Sequence, residues 1–224
     1  TNEPLNTHNF RAGIDYEIDS NNVIGLLVNG NLGKDIHDSE TSNLIRNNQG
    51  SLLSNMLTQN YDKQSWESLT YNLNYLHRFA KKGRALSADV DFAPNRFSSN
   101  LNLDTYTHPN VGYPGGDLAR RRGTVPAKTD VYVVKVDYTD VLNEEIKLEA
   151  GAKSSFIKSD NNLVYDQFIN NDWQYDATSS NHFRYKEQIH AAYLNVMAEF
   201  GKTSIQAGLR GEYTNTKGNQ ITTN

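Results

Sequence analysis

The sequence predicts an all-β chain, an antiparallel up-and-down meander of about eight long strands. Apolar and polar residues alternate with period two along most of the chain, short turns alternate with long polar segments, and charged residues interrupt every window that might keep helical spacing.

Phe10, Ala12, Ile14, Tyr16 and Ile18 alternate with Arg11, Gly13, Asp15 and Glu17, so a strand here sends its apolar side chains to one face. The turn formers Asp19-Ser20-Asn21-Asn22 lead into Ile24, Leu26, Val28 and Leu32, which alternate with Asn29 and Asn31. Leu69, Tyr71, Leu73 and Tyr75 alternate with Thr70, Asn72 and Asn74. Lys81-Lys82-Gly83-Arg84 then reverses the chain into Leu86, Ala88, Val90 and Phe92. Tyr132, Val134, Val136 and Tyr138 oppose Lys135, Asp137 and Thr139. After Asn143-Glu144-Glu145, Ile146, Leu148, Ala150 and Ala152 oppose Lys147, Glu149 and Lys153. Ala192, Leu194, Val196, Ala198 and Phe200 form the next apolar set, and Gly201-Lys202 turns into Ile205, Ala207, Leu209 and Tyr213.

The connections alternate as regularly as the residues. Short turns near 19–22, 81–84, 143–145 and 201–202 are separated by long polar segments, read as loops, at about 34–64, 94–128 and 159–184. Short turns at one end and long loops at the other are the pattern of a transmembrane β-barrel, with the short turns periplasmic. Strands of roughly 10 to 15 residues exceed the usual length and reach the roughly 9 to 11 needed to cross a bilayer when tilted. On this reading Leu73, Tyr75, Val134, Val136, Leu194 and Val196 face lipid, while the charged face lines a wet lumen. Tyr16, Tyr75, Tyr132, Tyr138 and Tyr213 on the apolar face are placed for an interfacial aromatic girdle. The mean hydropathy of -0.70 fits, because only half of each strand need be apolar. It fits equally a soluble extracellular β-sandwich that buries the apolar faces of two sheets and binds carbohydrate or protein through its loops.

Composition narrows the remaining classes. The 224 residues carry a formal net charge of -4, and 13 Tyr, 8 Phe and 2 Trp give the chain buriable surface that a disordered segment lacks. No stretch approaches the roughly 20 apolar residues of a membrane helix. Without cysteine there is no disulfide framework, thiolate nucleophile or Cys-ligated zinc. The mild acidity gives no basic footprint for nucleic acid. Residue 1 is Thr with no basic and apolar leader following it, and the last residues, Ile221 to Asn224, stop without a helix cap or closing turn, so the sequence is expected to be an excerpt of a longer polypeptide.

Five strings, AGIDYEIDSNNVIG, VKVDYTD, KLEAGAKSS, FRYKEQIHAAYLNV and QAGLRGEYTNTKG, occur in order at hairpin spacing between residues 9 and 218. Together they resemble the barrel region of TonB-dependent outer-membrane receptors of the Bacteroidetes type. The resemblance implies one barrel segment over residues 1–224, from the middle of a receptor that takes up a bulky nutrient or metal chelate in the bacterial outer membrane. It implies a plug, a TonB-contacting part and C-terminal strands outside this chain. The partners implied are outer-membrane lipid and, through the rest of the parent, TonB; a surface lipoprotein is left open as a third.

Recognition would fall to the long segments. Arg120, Arg121 and Arg122 beside Tyr113-Pro114-Gly115-Gly116-Asp117 suit an anionic chelate or phosphorylated nutrient, although a solvated charge run needs no ligand. Tyr106, Tyr113, Trp173 and Tyr175 could stack on a sugar, aromatic chelate or peptide, or pack the loops. No catalytic residue, metal site or cofactor is expected. The six histidines are scattered without ligand spacing, Asp89 and Asp91 fit a mixed-charge lumen, and neither GxGxxG nor GxxxxGK[ST] occurs. Asp160-Asn161-Asn162 and Asn170-Asn171-Asp172 read as turns, since the calcium-loop order with its closing Glu is missing.

Overall fold

The computed structural model describes residues 5–108 and 117–221, and among them every regular element is a strand. The strands are β1 (Asn6–Glu17), β2 (Asn22–Arg46), β3 (Leu52–Arg78), β4 (Ala85–His108), β5 (Asp117–Val141), β6 (Ile146–Ile169), β7 (Asp172–Tyr175), β8 (Asn181–Phe200) and β9 (Thr203–Ile221). All belong to one antiparallel sheet in the order β1-β2-β3-β4-β5-β6-β8-β9, with the four-residue β7 folded back on β6. The sheet is open: β1 pairs with β2 alone and β9 with β8 alone.

A sandwich needs a second sheet to cover the apolar face, and the described residues supply none. The soluble sandwich is therefore set aside. Its expected core is also missing, since Leu57 and Ala191 are the only buried hydrophobics among the described residues, while Leu73, Val90, Val134 and Leu194 are each 45–48% exposed.

The four short turns fall where the turn formers stand. Asp19 accepts the Asn21 N–H at 2.7 Å, and Asn143 accepts those of Glu145 and Ile146 at 3.0 and 2.8 Å. Gly83 and Gly201 take positive φ of 81° and 62°, which a side chain would resist.

The long loops are corrected by the structure. Most of 34–64, 94–128 and 159–184 is strand: β2 and β3 run on to a turn at 47–51, β4 and β5 extend to His108 and from Asp117, and β6 continues to Ile169. Asp160-Asn161-Asn162 accordingly lies inside β6 rather than in a turn. Asn170 and Asn171, at φ 52° and 65°, do form the two-residue turn between β6 and β7, as their tolerance of positive φ allows.

Register carries each apolar set onto a common face, because residues directly opposite in an antiparallel pair share a side of the sheet. One row reads Ile14, Leu26, Leu73, Val90, Val134, then Ser154, His190 and Tyr213 across the strands. A neighbouring row on the other face reads Asp15, Gly25, Asn74, Asp89, Lys135, then Lys153, Ala191 and Glu212. Pro94 and Pro126 stand beside gaps in the β3–β4 and β5–β6 ladders, where a missing backbone donor costs least.

Candidate functional site

Along the strands the apolar face is organised into bands. At its centre lie aliphatic rows, such as Leu73, Val90 and Val134. On the side toward the long hairpins an aromatic row follows: Tyr71 stacks on Phe92 at 6.1 Å, Phe92 on Tyr132 at 4.8 Å, and Phe156 stands opposite Tyr132. On the short-turn side Phe79 meets His77 at 4.4 Å and Tyr138 at 6.3 Å, and Tyr75 donates to Asn22 at 2.5 Å. Asp140 sits on this same face next to the turns, its carboxylate enclosed by Lys81 at 2.9 Å, Arg84 at 2.8 Å and the Tyr138 hydroxyl at 3.2 Å. A charge there is tolerated because three donors meet it.

The opposite face is a polar network. Asn72 donates to Asp91 at 2.7 Å and, more weakly, to Asp89 at 3.5 Å. Lys135 pairs with Asp137 at 2.5 Å, and the Tyr193 hydroxyl donates to the same carboxylate at 2.6 Å. Tyr193 reaches it by lying over Gly151, where a Cβ would intrude on both the ring and Asp137. Lys147 and Asn195 hold Glu149 at 2.6 and 3.2 Å.

Beyond the aromatic row the hairpins continue with polar residues on both faces. Here β5, β6 and β7 assemble an arginine–aromatic cluster. Arg122 donates to Asp166 at 2.8 Å and lies 4.6 Å from the Trp173 ring centre, and Arg120 covers Phe168 at 5.2 Å. Phe168 and Trp173 contact edge to face at 5.3 Å, as their register across the Asn170-Asn171 turn requires. Tyr175 stands opposite Asp166, in the same row as Arg122.

The sequence grouped Arg120, Arg121 and Arg122 as one patch, but strand geometry divides them. Arg121 points to the other face, opposite Leu103 and Gln167. Tyr106 shares the face of Arg120 and lies opposite Leu57 and Leu118. Tyr113 lies outside the described residues. Phe168 and Asp166 were missed; the signal for them was the Asn-Asn pair centred between Phe168 and Trp173, a two-residue hairpin mark.

Below the cluster, the segment 176–180 closes on Asp176, which is 3% exposed. One carboxylate oxygen accepts from the Thr178 hydroxyl at 2.6 Å, the Thr178 N–H at 3.0 Å and the Ser179 N–H at 3.2 Å. Hydrogen bonds from Thr178 and Ser179 favour the ionised form and lower its pKa to about 2.

A comparison with curated proteins finds no match. Among solved structures, the unliganded ferric citrate transporter FecA aligns at 12% identity over 96% of this chain and 38% of its own, with a TM-score of 0.34. The chain thus spans well under half the length of that protein. The sequence profile of the outer membrane protein beta-barrel family matches residues 77–224, well over half of the chain. The chain belongs to this family.

Membership in the outer membrane protein beta-barrel family places the chain in the bacterial outer membrane. In such barrels the apolar face of the wall meets lipid and the polar face lines the interior; Leu73, Tyr75, Val134, Val136, Leu194 and Val196 stand on the apolar face of this sheet, and Asp89, Asp137 and Glu149 on the polar one. In such barrels short turns are periplasmic and long hairpins extracellular; the arginine–aromatic cluster lies at the long-hairpin end of this sheet.

The apolar band also runs at a slant across the rows, as it must when strands are tilted to the membrane. Phe10 on β1 lies in the row that reaches Lys217 on β9, yet the continuous apolar set of β9 on this face, from Ile205, ends at Tyr213, four residues closer to its turn.

Proposed function

We propose that this chain forms part of the wall of a larger transport barrel of the TonB-dependent type, taking up a bulky nutrient or metal chelate. The observation that carries the reading is the interior face, which holds charges of both signs at two-residue spacing across successive strands and is suited to a wet or plugged passage. The length of the hairpins supports it: β2 runs on to Arg46, on the order of 45 Å past Leu32 at about 3.3 Å per residue. Walls that high stand clear of the membrane and can hold a ligand above the barrel. In the parent, β1 and β9 pair with further strands, which covers their free edges. The mechanism is recognition by the hairpins followed by energised passage, with TonB contacted by other parts of the parent.

The test is uptake. Cells carrying the full-length parent are expected to accumulate at least one member of a panel of radiolabelled ferric chelates, oligosaccharides and oligopeptides. A protonophore should abolish the accumulation, and Arg121→Ala, on the interior face of the hairpins, should reduce it several-fold. Equal accumulation with and without the protein would contradict the proposal.

A further inference from the structure

On the lipid-exposed face, immediately beyond the aromatic row, the side chains turn cationic. Lys158 on β6 stands directly opposite Lys186 on β8, and Lys186 directly opposite Lys217 on β9, so three ammonium groups share one row on three adjacent strands. All three are exposed, and none forms an ion pair among the described residues; Lys158 only approaches the Tyr132 ring at 5.9 Å. Strands lie about 4.8 Å apart, and like charges directly opposite one another repel. The carboxylates nearby are engaged elsewhere: Asp130 pairs with Arg96 at 2.6 Å, and Asp160 accepts from Arg184 and His182, each at 2.8 Å.

In the next row outward, Lys128 and Arg96 line a groove of about 920 Å³ together with His8 and Lys34. These two rows hold six cations against the carboxylates of Glu67, Asp130 and Asp160, in a chain whose formal net charge is -4. A positive band on an acidic protein, at the level where the apolar face gives way to polar residues, is complementary to an anion held at that level.

We propose that Lys158, Lys186 and Lys217 dock the phosphoryl group of an outer-leaflet lipid. Lys158 stands two residues beyond Phe156 on the same face, at the level of the headgroup layer, where one phosphate relieves the mutual repulsion of the three ammonium groups through charge-assisted hydrogen bonds. The inference rests on the membrane placement of this face and not on the transported ligand.

The test uses the full-length protein in detergent, titrated with bisphosphorylated lipid A or with the same lipid after dephosphorylation, and counts retained lipid by native mass spectrometry. The wild type is expected to retain the phosphorylated form at least about tenfold better. K158Q/K186Q/K217Q should lose that preference, K158R/K186R/K217R should keep it, and millimolar inorganic phosphate should not displace the lipid. Equal retention of both lipids, an unchanged preference in the glutamine variant, or displacement by inorganic phosphate would each overturn the site. Should the glutamine variant not fold, the wild-type comparison of the two lipids decides alone. Absence of either lipid from the wild type would overturn the membrane placement itself, whereas a failed uptake assay leaves this result untouched.

Discussion

Leu73 and Asn74 are neighbours in the chain on opposite faces of the sheet. Leu73 is 47% exposed, between Leu26 and Val90, whereas Asn74 turns to the polar face and donates to Asn72 at 3.0 Å. Replacing Leu73 or Val134 by Arg is expected to cost about 2 to 4 kcal/mol near the bilayer midplane, and the same change at Asn74 or Lys135 much less. Guanidinium unfolding in lipid vesicles measures this, and equal losses at both phases would contradict the assignment. At this scale the division of residues between two faces was legible, because a strand sends successive side chains to opposite sides of the sheet. The arginine run was misleading. Arg120, Arg121 and Arg122 looked like one patch because adjacency in sequence was taken for adjacency in space, and a strand sends its middle member to the opposite face.

At the scale of elements, the same physics explains why the upper halves of β2 to β6 were read as loops. Both faces of these hairpins meet water, so Asp38, Glu40, Gln59 and Asp104 stand where an apolar residue would have signalled a strand. Backbone pairing holds them without hydrophobic alternation. The segment after β7 gives a pH prediction. Asp176 has a folded-state pKa depressed to about 2 from an ordinary 3.8, so its contribution to this turn is fully present above about pH 4 and is lost as pH falls toward 2. Hydrogen exchange at Thr178 and Ser179 should accelerate over that window, and Asp176→Asn should show fast exchange already at neutral pH. Protection of these amides unchanged between pH 4 and 2 would contradict the role of the carboxylate.

For the whole molecule, the account depends on one sheet presenting one face to lipid. The eight long strands, their order and the handover at the short turns were readable from the sequence; the four-residue β7 was not. Nor was the slant of the apolar band, because it is a property of register between strands, which periodicity within a strand leaves undetermined. The chain contains no cysteine, so none of its own residues competes with an introduced one. The most direct measurement places them one at a time from Tyr71 to Arg78 in the full-length parent, labels each with an environment-sensitive fluorophore, and adds lipid-phase quenchers in reconstituted bilayers. Quenching at Tyr71, Leu73, Tyr75 and His77, with none at Asn72, Asn74, Leu76 and Arg78, is the predicted result. Quenching in the opposite phase, or at no position, would contradict it.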